Sequence, residues 1–267
     1  KRLNIVKSTA SVRQGWELWN EIRSASFTSA TGLRVVFPNT AAFASGVPSP
    51  DYYTQIEGQA VAFEIATVSD TRDRIAARNR FGDELTRIAK RAQKAGMYGG
   101  VVPQPDRFGG IEKAVEYLRK LKSGGRQLRG FPYRILHLVS GDDFFLQRDF
   151  LPDSYYTHAG LRYRYTGRIY SAFFGIHGQL LFDGHMIGHH ISIPRRVGLM
   201  HRHGRFVHST SYSACIITLH DHSVDGYADE RKCINVLYTP IAGCGNPIPQ
   251  KLLEKLDKGF SFSREYS

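Results

Sequence analysis

Residues 52–68 read YYTQIEGQAVAFEIATV, two strand-like runs on either side of Glu57-Gly58. Glycine tolerates the positive φ that a two-residue turn demands, so the pair predicts a tight hairpin. Ile56 then faces Gln59, Gln55 faces Ala60, and, counting outward, Asp51 faces Glu64. Facing residues project to the same side of a sheet, with Cβ atoms about 5 Å apart. On the second strand Val61, Phe63, Ile65 and Thr67 point one way, and Ala62, Glu64, Ala66 and Val68 the other. This register is assumed from the turn pair, and a slip of one residue would put the two acids on opposite faces.

Two carboxylates on one half-buried face repel each other and lose hydration. A divalent cation compensates, and Mg2+ favours carboxylate oxygen. The alternatives are structural: Asp51 caps a turn after Pro50, and Glu64 pairs with an arginine of the next helix.

The elements around the hairpin follow from periodicity. Residues 14–25 predict a helix with Trp16, Trp19 and Ile22 on one stripe, and 33–39 a strand. Residues 71–96 predict a helix: Phe81, Leu85, Ile88 and Ala92 recur at spacings of three and four, and Gly96 ends it. A second helix is expected over 110–125 and an apolar strand over 133–143. The order α-β-β-β-α-α-β predicts a layered α/β (α+β) domain over 1–150. After residue 150 the texture changes. Residues 161–194 alternate between glycines, 205–222 and 232–243 read as strands, and 249–260 as a closing helix. Residues 151–267 are thus expected to be β-rich and rich in histidine and arginine, either as a second domain or as further strands of the first sheet.

Lys and Arg number 36 against 24 Asp and Glu, a formal charge of +12. Such a surplus favours a polyanionic partner, and double-stranded DNA is the expected one. The three cysteines, Cys215, Cys233 and Cys244, make a poor disulfide framework and point to a reducing compartment. No apolar run approaches the roughly 20 residues of a membrane span, and the first residues lack a signal-peptide core. A soluble, cytoplasmic protein without a membrane partner is expected. A homodimer is left open.

Pro50-Asp51 at the start of one strand and Glu64 within the next, in an α-β-β-β-α-β order, resemble the PD-(D/E)xK nuclease superfamily. The resemblance covers about the first half of the chain. It implies a restriction-endonuclease-like mixed sheet flanked by helices, with Mg2+ held by Asp51 and Glu64. The family's lysine falls two residues after the second acid, where this chain has Ala66. Some members supply that cation from a neighbouring helix, which makes Lys90 or Arg74 the candidate here. Some add a glutamate from the first helix, which Glu21 or Glu17 resembles. The implied activity is hydrolysis of DNA phosphodiesters, in a restriction or defence setting.

Nucleic-acid contacts are expected from Arg72, Arg74 and Arg78 on the 71–96 helix. In the β-rich half they are expected from Arg162, Arg164, Arg195, Arg196, Arg202 and Arg205. His220, His222, Cys233 and Cys244 have ligand types suited to zinc but no tight spacing. His189-His190-Ile191 faintly resembles the start of an HNH nuclease motif, without its middle asparagine. The alternative function is a non-catalytic nucleic-acid-binding or coat protein that uses the β-rich half.

Overall fold

The structure is a computed structural model. It describes residues 12–38, 49–68, 83, 86–87, 90–91, 93–96, 130–140, 150–152, 154–158, 161–183, 186–187, 190–191, 195–208, 210–220 and 233–263. Their contacts form two compact units, one drawn from Lys1–Ser69, Arg119–Phe145 and Arg205–Ser267, the other from Asp70–Leu118 and Leu146–Gly204.

The first unit is built on a mixed five-stranded sheet. Helix α1 (Val12–Ala30) precedes β1 (Tyr52–Ile56) and β2 (Gln59–Val68), which pair antiparallel. The register is the expected one: Ile56 opposes Gln59 and Tyr52 opposes Phe63. Glu57 and Gly58 both have positive φ, 50° and 78°, as a tight two-residue turn requires. The strand expected over 33–39 is reduced to a bridge, in which Val36 and Tyr53 exchange backbone hydrogen bonds of 2.8 and 2.9 Å. β3 (Tyr133–Ser140) runs parallel to β2, β10 (Ala214–His220) parallel to β3, and β11 (Cys233–Tyr238) antiparallel to β10. The last two strands of the chain therefore extend the hairpin's own sheet. Helix α3 (Gln250–Phe260) closes the unit.

Alternation sorts the sheet into two faces. Tyr52, Val61, Phe63, Ile65, Ile135, Val139, Ala214 and Ile216 pack with Ala25 of α1 and with Leu252, Leu256 and Phe260 of α3. Each fully buried side chain of this size contributes about 1.5–3 kcal/mol. Tyr52 stacks on Phe63 with ring centroids 4.5 Å apart.

A chain of side-chain hydrogen bonds runs through this core. Thr28 Oγ1 lies 2.9 Å from Tyr52 Oη, which lies 2.8 Å from Ser24 Oγ. Ser24 Oγ is 2.6 Å from His137 Nδ1, and His137 Nε2 is 2.8 Å from Thr218 Oγ1. Thr218 Oγ1 donates to Asn235 Oδ1 over 2.6 Å, and Asn235 Nδ2 donates to the Phe260 carbonyl. A carbonyl only accepts, so the far end fixes every proton. Thr218 spends its proton on Asn235 and accepts from His137 Nε2–H. Ser24 donates to His137 Nδ1, Tyr52 to Ser24, and Thr28 to Tyr52. The network ties both helices to the sheet through a neutral imidazole.

In the second unit β4 (Ser154–His158) pairs antiparallel with β5 (Leu161–Tyr165). Helix α2 (Arg168–Phe174) follows, bounded by Gly167 and Gly175. The sequence reading had strands here; Ile169, Ala172 and Phe173 are instead buried from one short helix. β6 (Leu180–Asp183) and β9 (Arg195–Leu199) pair across a register shift, and β7 (Met186–Ile187) pairs with β8 (His190–Ile191). Of the expected 71–96 helix, Asp83, Thr86, Arg87, Lys90, Arg91, Gln93 and Lys94 are helical, and Gly96 follows in a turn at φ 68°. The helix expected over 110–125 lies outside the described residues.

Candidate functional site

The two acids lie at the hairpin, Glu64 within β2 and Asp51 just outside β1. Asp51 stands just before β1, with its amide donating to Phe63 O over 3.1 Å. One carboxylate oxygen, Oδ2, accepts the Ile65 amide proton at 2.7 Å. Asp51 thus satisfies a backbone donor of the neighbouring strand, at the residue that follows Glu64. Glu64 is 1% exposed, on the face away from α1 and α3.

Registers across β2, β3, β10 and β11 define rows on that face. Glu64, Leu136, Cys215 and Tyr238 form one row, and Ala66, Leu138, Ile217 and Val236 the next. Leu138, Ile217 and Val236 are each fully buried. The position where the nuclease resemblance wants a lysine is therefore set in an apolar row, where an ammonium would be desolvated.

Two arginines act on the Tyr212 phenol, on which Glu64 also acts. Arg134 lies on β3, paired with Ala62, so it projects to the same face as Glu64, and its Nε donates to Phe131 O at 3.1 Å. Arg205 is half-buried, with its guanidinium carbon 4.9 Å from the centre of the buried Tyr212 ring. Burial pushes the Tyr212 phenol well above its ordinary range; the Arg205 charge pulls it back and the Glu64 carboxylate raises it, with lesser contributions from Cys215 and Arg134. Burial also pushes up the Cys215 thiol, again opposed by Arg205. The phenol therefore stands within electrostatic reach of one carboxylate and two guanidiniums.

The turn that presents Arg205 is pinned. Phe206 is fully buried, and its carbonyl accepts the Ile241 amide at 3.1 Å. Cys244 Sγ donates to Val207 O at 3.1 Å, and the Thr210 amide donates to Cys244 O at 2.7 Å. Tyr212 N donates to Thr210 Oγ1 at 3.2 Å, and Ser213 N to Arg134 O at 2.7 Å.

The remaining expected site residues fall as follows. Glu21 lies on α1, whose Asn20, Ser24 and Thr28 bond to Thr67, Tyr52 and His137 on the opposite face of the sheet from Glu64. Glu17 lies on the same helix. Lys90 is exposed on a helical segment of the second unit. Arg162, Arg164, Arg195 and Arg196 lie on β5 and β9, and Arg202 is exposed. Arg72, Arg74 and Arg78 lie outside the described residues. Of the zinc candidates, Cys233 Sγ accepts a hydrogen bond from Arg23, Cys244 holds the 205–208 turn, His220 is the last residue of β10, and His222 lies outside the described residues. Among the described residues no three His, Cys, Asp or Glu side chains converge. No described helix is long and apolar enough to cross a membrane.

Sequence reasoning did not bring Tyr212 or Arg134 together with Glu64, and expected Arg205 as one of the nucleic-acid contacts of the β-rich half. Nothing in sequence spacing joins residues 64, 134, 205 and 212; the parallel pairing of three strands does. Compared with protein-family models, with curated proteins and with solved structures, the chain matches none.

Proposed function

We propose that this chain is a metal-dependent nuclease of restriction-endonuclease-like fold, hydrolysing phosphodiesters of DNA at the outward face of the 52–68 hairpin. The observation that carries this reading is the hairpin's pair of acids: Asp51 stands just before β1 with its Oδ2 accepting the Ile65 amide, and Glu64 is the residue before Ile65 on β2. The element order supports it: a helix, a bridge at Val36, the hairpin, and a strand parallel to its second arm.

The donor set fits a hard divalent cation. Mg2+ is commonly held by one or two carboxylates and completes its shell with water and substrate phosphate, and Asp51 and Glu64 supply two carboxylates. When bound, the ion would contribute positive charge beside the phosphate and favour deprotonation of water. The chain's own part is positional. The Ile65 amide orients the Asp51 carboxylate, and β2 carries Glu64 beside it in sequence.

The test is cleavage of plasmid and single-stranded DNA with Mg2+, Mn2+ or EDTA, by wild type and Glu64→Ala. We expect metal-dependent cutting that falls by about 100-fold or more in the variant, with melting curves verifying that it folds. No cutting by wild type under any metal condition overturns the reading.

One observation favours a second reading. Glu64 is buried, and its charge acts on the same Tyr212 as those of Arg205 and Arg134, an arrangement in which arginines rather than a metal would neutralise it. The chain is then a non-catalytic nucleic-acid-binding or coat protein, and its affinity is indifferent to Mg2+ and to EDTA.

A further inference from the structure

We infer that Arg134 seats a backbone phosphate of nucleic acid on the sheet face that carries Glu64. This deepens the reading above and rests on nucleic acid being the substrate. A phosphodiester that approaches two carboxylates is repelled, so a chain that works on one at Asp51 and Glu64 needs a fixed cation close by. Arg134 was not among the arginines that the sequence pointed to as nucleic-acid contacts.

Strand register gives the placement. Tyr53, Ala62 and Arg134 stand in one row across β1, β2 and β3, and Glu64 and Leu136 stand in the next row of the same face. Arg134 and Glu64 are thus diagonal neighbours on adjacent strands, with Cα atoms roughly 8 Å apart at the usual strand spacing and rise. Long side chains span such a diagonal. The charges of Arg134 and Glu64 both act on the Tyr212 phenol.

The guanidinium is oriented. Its Nε donates to the Phe131 carbonyl at 3.1 Å, and the Nη edge remains as the fork that matches two phosphate oxygens. Among the described residues the Nη groups enter no ion pair. The backbone beneath is fixed as well. The Arg134 amide donates to Ser213 Oγ at 3.3 Å, and its carbonyl accepts the Ser213 amide at 2.7 Å. Gly130, at φ 96°, turns the chain toward β3, and Asn246 Nδ2 donates to the Pro132 carbonyl at 2.6 Å. Phe131 packs on Tyr53 with ring centroids 5.8 Å apart. Arg134 is half-buried whereas Glu64 is 1% exposed, so an anion meets this face at the guanidinium and not at the acid.

The experiment measures duplex DNA binding in EDTA over a salt series, for wild type, Arg134→Met, Arg134→Lys and Lys258→Met. Lys258 is exposed on α3 and controls for net charge. Loss of one phosphate contact takes about 0.9 from the slope of log affinity against log salt. We expect Arg134→Met to lose that increment and to bind about tenfold more weakly. Arg134→Lys should keep the slope, because the charge stays, and Lys258→Met should bind as wild type does. A merely structural arginine would alter the melting curve and leave the slope alone. A second measurement needs no variant: an arginine-selective dicarbonyl with peptide mapping should label Arg134 in the wild-type protein, and label it less once duplex is bound. A folded Arg134→Met with wild-type slope and affinity overturns the assignment, and so does an Arg134→Lys that loses the same increment. No labelling of the unbound protein, or equal labelling with and without duplex, also overturns it, and labelling decides alone if no variant folds. Binding is read in EDTA, so the nuclease reading fails separately: a wild type that binds through Arg134 and never cuts loses that reading and keeps this site. A wild type that does not bind duplex overturns the site.

Discussion

His137 lies fully inside the first unit with both ring nitrogens bonded to hydroxyls, Ser24 on one side and Thr218 on the other. Burial, with the Arg23 charge adding to it, pushes its pKa from 6.5 down to about 3. The folded protein therefore holds a neutral ring where the unfolded chain would bind a proton. Stability is fully present above pH 6.5 and is lost as pH falls toward 3, at up to about 1.4 kcal/mol per pH unit within that window. Denaturant melts at pH 7, 6, 5 and 4, for wild type and His137→Gln, test this. We expect wild type to lose its advantage over the variant as pH falls, and a constant difference would refute the neutral ring. Sequence alone did not single out His137, because a histidine between apolar neighbours in RILHLVS reads equally as core or as surface. Glu64 was legible at this scale as an acid between two alanines. Its link to Tyr212 was not.

At the scale of elements, α1 and α3 approach so closely that Gly259 has no room for a side chain. A Cβ there would sit 2.4 Å from the Phe27 carbonyl oxygen and 2.4 Å from Thr31 Cγ2. Helix propensity favours alanine over glycine by about 1 kcal/mol. Pressing a methyl onto a backbone carbonyl costs about 1–3 kcal/mol, and the backbone of a packed helix cannot swing aside as a flexible side chain would. We expect Gly259→Ala to lower stability by about 1–2 kcal/mol in urea melts, whereas propensity alone would raise it. The hairpin and the closing helix were legible because local rules decide them: positive φ at a turn, and apolar spacing of three and four. The helix Arg168–Phe174 was not. Its seven residues are too few for periodicity to outvote the alternation before them, and burial of Ile169, Ala172 and Phe173 overrides local preference.

For the whole molecule, the charge surplus is 36 − 24 = 12. Nucleic-acid binding driven by such a surplus proceeds by counterion release and weakens steeply with salt. We expect duplex affinity to fall about 10³-fold between 50 and 200 mM salt, as about six phosphate contacts would give, measured by fluorescence anisotropy at fixed pH. Weak affinity with little salt dependence would point to a small-molecule substrate and away from either nucleic-acid reading.

The sequence by itself determined the hairpin, its register, which side chains share each face of it, and the existence of the outer helices. These depend on residues within a few positions of one another, so period and turn chemistry suffice. Only the tertiary structure decided that β10 and β11 join the hairpin's own sheet. It also set Tyr212 among the charges of Arg205 and Glu64, and strung a hydrogen-bond chain from Thr28 to Phe260 through the core. Those neighbours are far apart along the chain. Parallel pairing and shared burial bring them together, and neither leaves a local trace in the order of residues.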